Sequence, residues 1–234
     1  MAQEHIFKQM DADLEEVRSR VLQMGGMVEE QITKSIEALT SGNLELADEV
    51  ITSDSRVNAL EMLIDGECTQ IIARRQPTAG DLRLIMTVER AITDLERIGD
   101  KAEKIARMAK KIHGPDRISV PRFTEIRHMS EMVLDMLRTA LDAFARLDIT
   151  AAAQLKRQDV EVDDEFDSVL RHLITFMMED PRMITTAIDI LFAAKAVERV
   201  GDHAKNIAGY VVYMAKGKDV RHASMEEMER DIKQ

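Results

Sequence analysis

The chain has 234 residues, 45% of them apolar and 32% charged, and a net charge of -11. That composition forms a core and excludes an intrinsically disordered chain. The acidity excludes broad binding to a nucleic-acid backbone, which needs clustered Lys and Arg, and opposes an anionic membrane surface. Trp is absent, aromatics are 3%, Met reaches 16, and there are only 4 Pro and 10 Gly. Helices with aliphatic and Met-filled cores follow. No stretch approaches the roughly 20 apolar residues of a membrane helix; the best, residues 207–215, is too short. The N-terminus lacks a basic segment followed by an apolar run, so no signal peptide is expected. Cys68 is the only cysteine. These features together point to a cytoplasmic protein in a reducing compartment.

Six helices are expected in chain order. The first covers residues 6–40, with Gly42 as its C-terminal cap. Asn43 caps the second, which runs to Arg75, where Gln76-Pro77 breaks it. Thr78 and Asp81 make a capping box for the third, which runs to His113. Residues 114–121 read as the linker between two halves. The fourth helix covers residues 122–147. Asp148 is placed as the cap of the fifth, which ends near Glu179. Asp180-Pro181 starts the sixth, which reaches Lys216. The tail reads as polar, with a short helix over residues 225–232. Gly99 is expected to admit a neighbouring helix closely. The Gly25-Gly26 pair signals either a kink or a tight crossing.

The chain repeats itself. At an offset of 105 residues Asn43 falls on Asp148, Asp54 on Asp159, Val57 on Val162 and Asn58 on Asp163. At an offset of 102, Glu96-Arg97-Ile98-Gly99-Asp100 falls on Glu198-Arg199-Val200-Gly201-Asp202. The expected fold is therefore all-α: two tandem three-helix bundles, residues 1–114 and 119–217, related by an approximate internal twofold, followed by the tail, 218–234.

Glu96 with Asp100, and Glu198 with Asp202, lie four residues apart, so each pair shares a helix face. The second helix of each half adds Asp54 with Asn58, or Asp159 with Asp163. If second and third helices pack together, these oxygens converge. Like charges at the edge of an apolar face need compensation, from a metal ion, from Arg97 and Arg199, or from a partner protein. Oxygen-only donors favour hard cations such as Mg, Ca or Mn and also hold Fe. His203 reads as a satisfied or exposed histidine. Glu125 and His128 make one Glu-x-x-His without the second pair of a di-iron helical oxidase. Phosphate loops, nucleophile elbows and zinc-finger spacings are absent from the sequence. A carboxylate-bridged metal enzyme in a helical bundle is the rival to a binding protein.

The two Glu-Arg-(Ile/Val)-Gly-Asp segments, each followed by Ala-x-x-Ile-Ala, resemble the signature of the PhoU family, accessory proteins of bacterial phosphate-specific transport. The turn Arg75-Gln76-Pro77-Thr78-Ala79-Gly80-Asp81-Leu82-Arg83 is similar to that family's entry into its third helix. Met24-Gly25-Gly26-Met27-Val28-Glu29 and Asp142-Ala143-Phe144-Ala145-Arg146 are similar too. The resemblance spans residues 5–222. It implies two three-helix bundles and a cytoplasmic, usually dimeric, non-enzymatic regulator. That regulator restrains phosphate uptake and the phosphate-starvation response. Its partners would be the ATPase subunit of the phosphate ABC transporter and a sensor histidine kinase, with membrane contact only through them. It further implies Fe, Mn, Mg or Zn ions on Glu96, Asp100, Glu198, Asp202, Asp159, Asp163 and Asp54, with Asn58 departing from the acid pair.

Overall fold

All six expected helices are present, and their caps explain most of the boundaries. The computed structural model describes residues 2–114 and 124–220, with 223, 224, 226–228 and 230, and side chains from residue 9 onward. The helices are α1 (Ala2–Ser41), α2 (Leu44–Arg75), α3 (Ala79–Ile112), α4 (Thr124–Arg146), α5 (Ala151–Glu179) and α6 (Ile184–Lys216), with one 3-10 turn at Pro181–Met183. The linker beyond Gly114 and the start expected for α4 at Arg122 lie outside the described residues.

Gly42 ends α1 at φ +76°, a conformation that costs a side-chain-bearing residue more, and its amide donates to Ala38 O at 3.0 Å. Asn43 Oδ1 accepts from the amides of Glu45 and Leu46. Thr78 and Asp81 form the expected reciprocal capping box. Asp148 departs from its expected role. Its Oδ1 accepts from Thr150 N, as Asn43 Oδ1 accepts from Glu45 N, but α5 begins only at Ala151. Leu147 at φ +59° stands at the repeat position of Gly42 at φ +76°, so the same turn precedes both helices, but Thr150, just before α5, makes no side-chain cap. Asp180 caps Arg182 N as expected, but the chain makes the 3-10 turn before α6 begins.

α3 and α6 pack antiparallel at the centre. The Arg90 guanidinium lies 4.9 Å from the Tyr213 ring centroid, and at the other end Lys104 Nζ lies 5.4 Å from that of Phe192. α1 and α2 cover α3 in the first half; α4 and α5 cover α6 in the second. α1 also crosses α4. Arg18 Nη2 donates to Ala145 O at 2.8 Å and Arg138 Nε to Glu29 Oε1 at 2.6 Å. A Cβ on Gly25 would stand 2.5 Å from Leu141 Cδ2, whereas one on Gly26 would meet nothing. Since α1 is one continuous helix through both, the pair marks a tight crossing at Gly25. The buried apolar residues of the two halves form one continuous core.

The tail is less polar in effect than in composition. Val220 and Met228 are buried in that core, and Ala223 O accepts from Lys156 Nζ. Residues 226–228 and 230 are helical, with Ser224 and Glu227 exchanging cap hydrogen bonds; the rest of the expected tail helix lies outside the described residues. No helix is long and apolar enough to cross a membrane, among the described residues.

Candidate functional site

The packing of α2 on α3, and of α5 on α6, brings the predicted carboxylates into two grooves with different charge balance. In the second half, Lys205 of α6 donates to Asp159 of α5 and to Asp202 Oδ1 at 3.1 Å. Burial alone would lower the Lys205 pKa, but its hydrogen bonds to Asp159 and Asp202 hold it above the ordinary lysine value, so the ammonium stays charged. Arg199 Nη1 reaches Asp202 Oδ2 at 3.0 Å. Glu198, buried, pairs with Lys195 at 2.6 Å. Asp163 is exposed. Asp159 and Asp202 therefore converge, on an ammonium, while Glu198 is held by Lys195 and Asp163 faces solvent.

The first half carries more acid and less base. Asp54, Glu61 and Asp65 of α2 lie along Glu89, Glu96, Asp100 and Glu103 of α3. Burial raises the Asp54 pKa, and the charges of Glu103 and Asp100 raise it further. Burial and then Asp100, Glu61 and Asp54 do the same to Glu96. Glu61 and Glu89 are raised by burial and by Asp65. Cys68, buried beneath this stripe, has its thiol pushed up to about 12 by burial and by Glu89, Asp65 and Glu67, so it is an inert thiol. Arg107 pairs with Glu103. Arg97 is exposed and lowers Glu96 only as the smallest of its influences. Among the described residues no basic side chain is ion-paired to Asp54, Glu61, Glu96 or Asp100.

Asp54 is 9% exposed and Gln31, on α1, 5%. Asp54 Oδ2 accepts from Asn58 Nδ2 at 3.1 Å, which gives Asn58 a positioning role. Asp54 Oδ1 and Gln31 Oε1 have no hydrogen-bond partner. Both lie 3.3 Å from the place a Cβ on Gly99 would take. Gly99 thus admits polar side chains, whereas Gly201 faces Val133 and Met136.

The donor set of the first half is hard oxygen, suited to Mg or Mn by type. Its arrangement is not that of a metal cluster: among the described residues no three His, Cys, Asp or Glu side chains gather to hold an ion. In the second half the convergent pair already holds an ammonium, which a resident dication would have to displace. The residues present, as arranged, do not fit a resident metal cluster.

Sequence reasoning missed Lys205, Lys195 and Gln31. It also missed Asp94, which is 2% exposed. Asp94 Oδ1 is 2.7 Å from His203 Nδ1, and its Oδ2 accepts from Tyr210 Oη at 2.6 Å. His203 is accordingly satisfied, as a bridge from α6 to α3 between the halves. Glu125 pairs with His172 at 3.3 Å while His128 is exposed, so Glu-x-x-His forms no unit. The signal for Lys205 was available: at the offset of 102 it falls on Glu103, an inversion of charge at one repeat position.

Fold and site together define a class: an all-helical tandem-repeat protein whose chemistry-bearing residues line charged grooves between helices. The PhoU domain family model matches the chain twice, over residues 21–109 and 126–211. The chain belongs to the PhoU family. It is 44% identical over 229 residues to the phosphate-specific transport system accessory protein PhoU homolog of Pseudomonas putida, covering 97% of this chain and 89% of that one. It is 42% identical over 226 residues to the accessory protein PhoU of Escherichia coli K12, covering 97% and 93%. The crystal structure of PhoU from Pseudomonas aeruginosa superposes with a TM-score of 0.85 at 45% identity, covering 89% of this chain and 99% of that one. The phosphate transport system regulatory protein PhoU from Streptococcus pneumoniae gives 0.82 at 26% identity, covering 90% and 99%.

Proposed function

We propose that the protein is a non-enzymatic regulator accessory to phosphate-specific transport. The observation that carries this reading is similarity along nearly the whole length to accessory proteins of phosphate-specific transport systems. In detail, the protein acts in the cytoplasm, as a homodimer. It restrains phosphate uptake and the phosphate-starvation response when phosphate is ample, by contacting the ATPase subunit of the phosphate ABC transporter and the sensor histidine kinase. The acidic α2/α3 face supplies charge complementarity for basic surfaces on such partners, which sets orientation and encounter rate more than raw affinity. Regulation requires that a partner bind two states of the protein unequally.

Deletion of the gene should release alkaline phosphatase expression in phosphate-replete medium, and the intact chain supplied in trans should restore repression. Pull-down of the ATPase subunit and the kinase should recover both. Unchanged repression after deletion counts against the role.

A further inference from the structure

The two repeats hold the same carboxylates in opposite ways. Lys205 Nζ bridges Asp159 and Asp202 in the second half. The corresponding residues of the first half are Asp54 and Asp100, and Lys205 is replaced by Glu103. The first half therefore keeps the two acids and puts a third where its repeat has a cation. Beside them, Asp54 Oδ1 and Gln31 Oε1 are buried acceptors without a donor, facing one spot over Gly99. An ammonium, with three donor hydrogens, can satisfy both at once. Lys34, next on α1, is tied to Glu30 and Glu49 and does not supply it.

We propose that the α2/α3 groove of the first half docks a lysine-bearing helix of a partner protein, one ammonium taking the place between Asp54 and Asp100 that Lys205 takes between Asp159 and Asp202. The inference rests on the docking role proposed above and assigns it to one face. The form of the partner follows from the stripe. Asp54, Glu61 and Asp65 are spaced by 7 and 4 residues on α2, about 10 and 6 Å at the helical rise of about 1.5 Å per residue. A single ion answers one point of that line; lysines at i, i+7 and i+11 of an accompanying helix answer all three. A compact ammonium suits the narrow space beside Gly99 better than a planar guanidinium.

The test uses the full chain and two synthetic alanine-rich helical peptides, read by fluorescence anisotropy at physiological salt. One carries lysines at i, i+7 and i+11; the other has the same composition with its lysines spread around the helix. The first should bind one to one, and the second at least tenfold more weakly. Asp54→Asn and Glu103→Lys, which supplies its own ammonium, should each weaken the first peptide at least tenfold, while Asp163→Asn on the matching face of the second half should change it less than twofold. Circular dichroism melting confirms that each variant is folded. Equal binding of both peptides, or an equal loss with Asp163→Asn, overturns the proposal as general acidity. Stoichiometric Mn or Mg binding that depends on Asp54 and blocks the peptide overturns it in favour of a metal site. In cells, normal phosphatase repression by Glu103→Lys, where deletion releases it, sinks the docking face and leaves the regulatory role standing. Unchanged repression on deletion removes the role itself.

Discussion

Lys205 shows how far one side chain can alter a pattern of acids. Asp159 and Asp202 lie on different helices and share its ammonium, largely out of water. Removing it leaves the largely buried Asp159 carboxylate without its donor, the expensive half of breaking such an interaction, while Asp202 keeps Arg199. Lys205→Met should therefore cost about 1–3 kcal/mol in urea unfolding. Lys195→Met, whose side chain is 43% exposed in its pair with Glu198, should cost under about 1 kcal/mol. Equal losses for the two would contradict the difference in burial. The spacing of Glu198 and Asp202 was legible as a shared helix face. Lys195 and Lys205, each three residues from its acid on α6, were legible on that face too; that Lys205 would also reach Asp159 was not, because that depends on how α5 is rotated against α6.

At the scale of elements, the paired helices α2 and α3 carry strain that pH relieves. Asp54, Glu61, Glu89 and Glu96 have carboxyls raised first by burial and then by like charge. In the unfolded chain they return to ordinary values. Between the ordinary and the raised values the folded state binds more protons, so stability increases as pH falls through that window. The melting temperature should climb from pH 7 toward pH 5. Lower still, carboxylates favoured as anions in the fold, such as Asp148 held down by Thr150, reverse the trend. Asp54→Asn should raise the melting temperature at pH 7, because it turns one of two facing acceptors into a donor, and should flatten the slope. A melting temperature that falls steadily from pH 7 to pH 5 would refute the argument. The caps at Asn43 and Thr78 were readable because they are local hydrogen bonds within a few residues. Asp148 misled because its carboxylate accepts from the amide and hydroxyl of Thr150, ahead of a helix that starts at Ala151.

The whole molecule is held by its two antiparallel crossings, α3 on α6 and α1 on α4. Asp94 with His203 and Tyr210 stitches the first; Gly25 under Leu141 defines the second. Gly25→Ala forces a methyl into that crossing and should destabilise by about 1–2 kcal/mol as overpacking. Gly26→Ala, facing open space, should stabilise by up to about 1 kcal/mol through helix propensity. Thermal melting of the two variants checks the sign of each; a gain for Gly25→Ala would mean that Leu141 moves aside freely.

Sequence alone determined the six helices, the duplication and the family, since periodicity, caps and recurring motifs are local in the chain. It also located the carboxylates that share a helix face. Tertiary structure decided the rest: that the two halves share one core, that Gly25 is a crossing and not a kink, that Asp94 is buried, and that Asp159 and Asp202 share a lysine while Asp54 and Asp100 do not. The physical reason is that charge balance depends on distances between side chains on different helices, and those distances are set by helix rotation and crossing, which no spacing within one helix records.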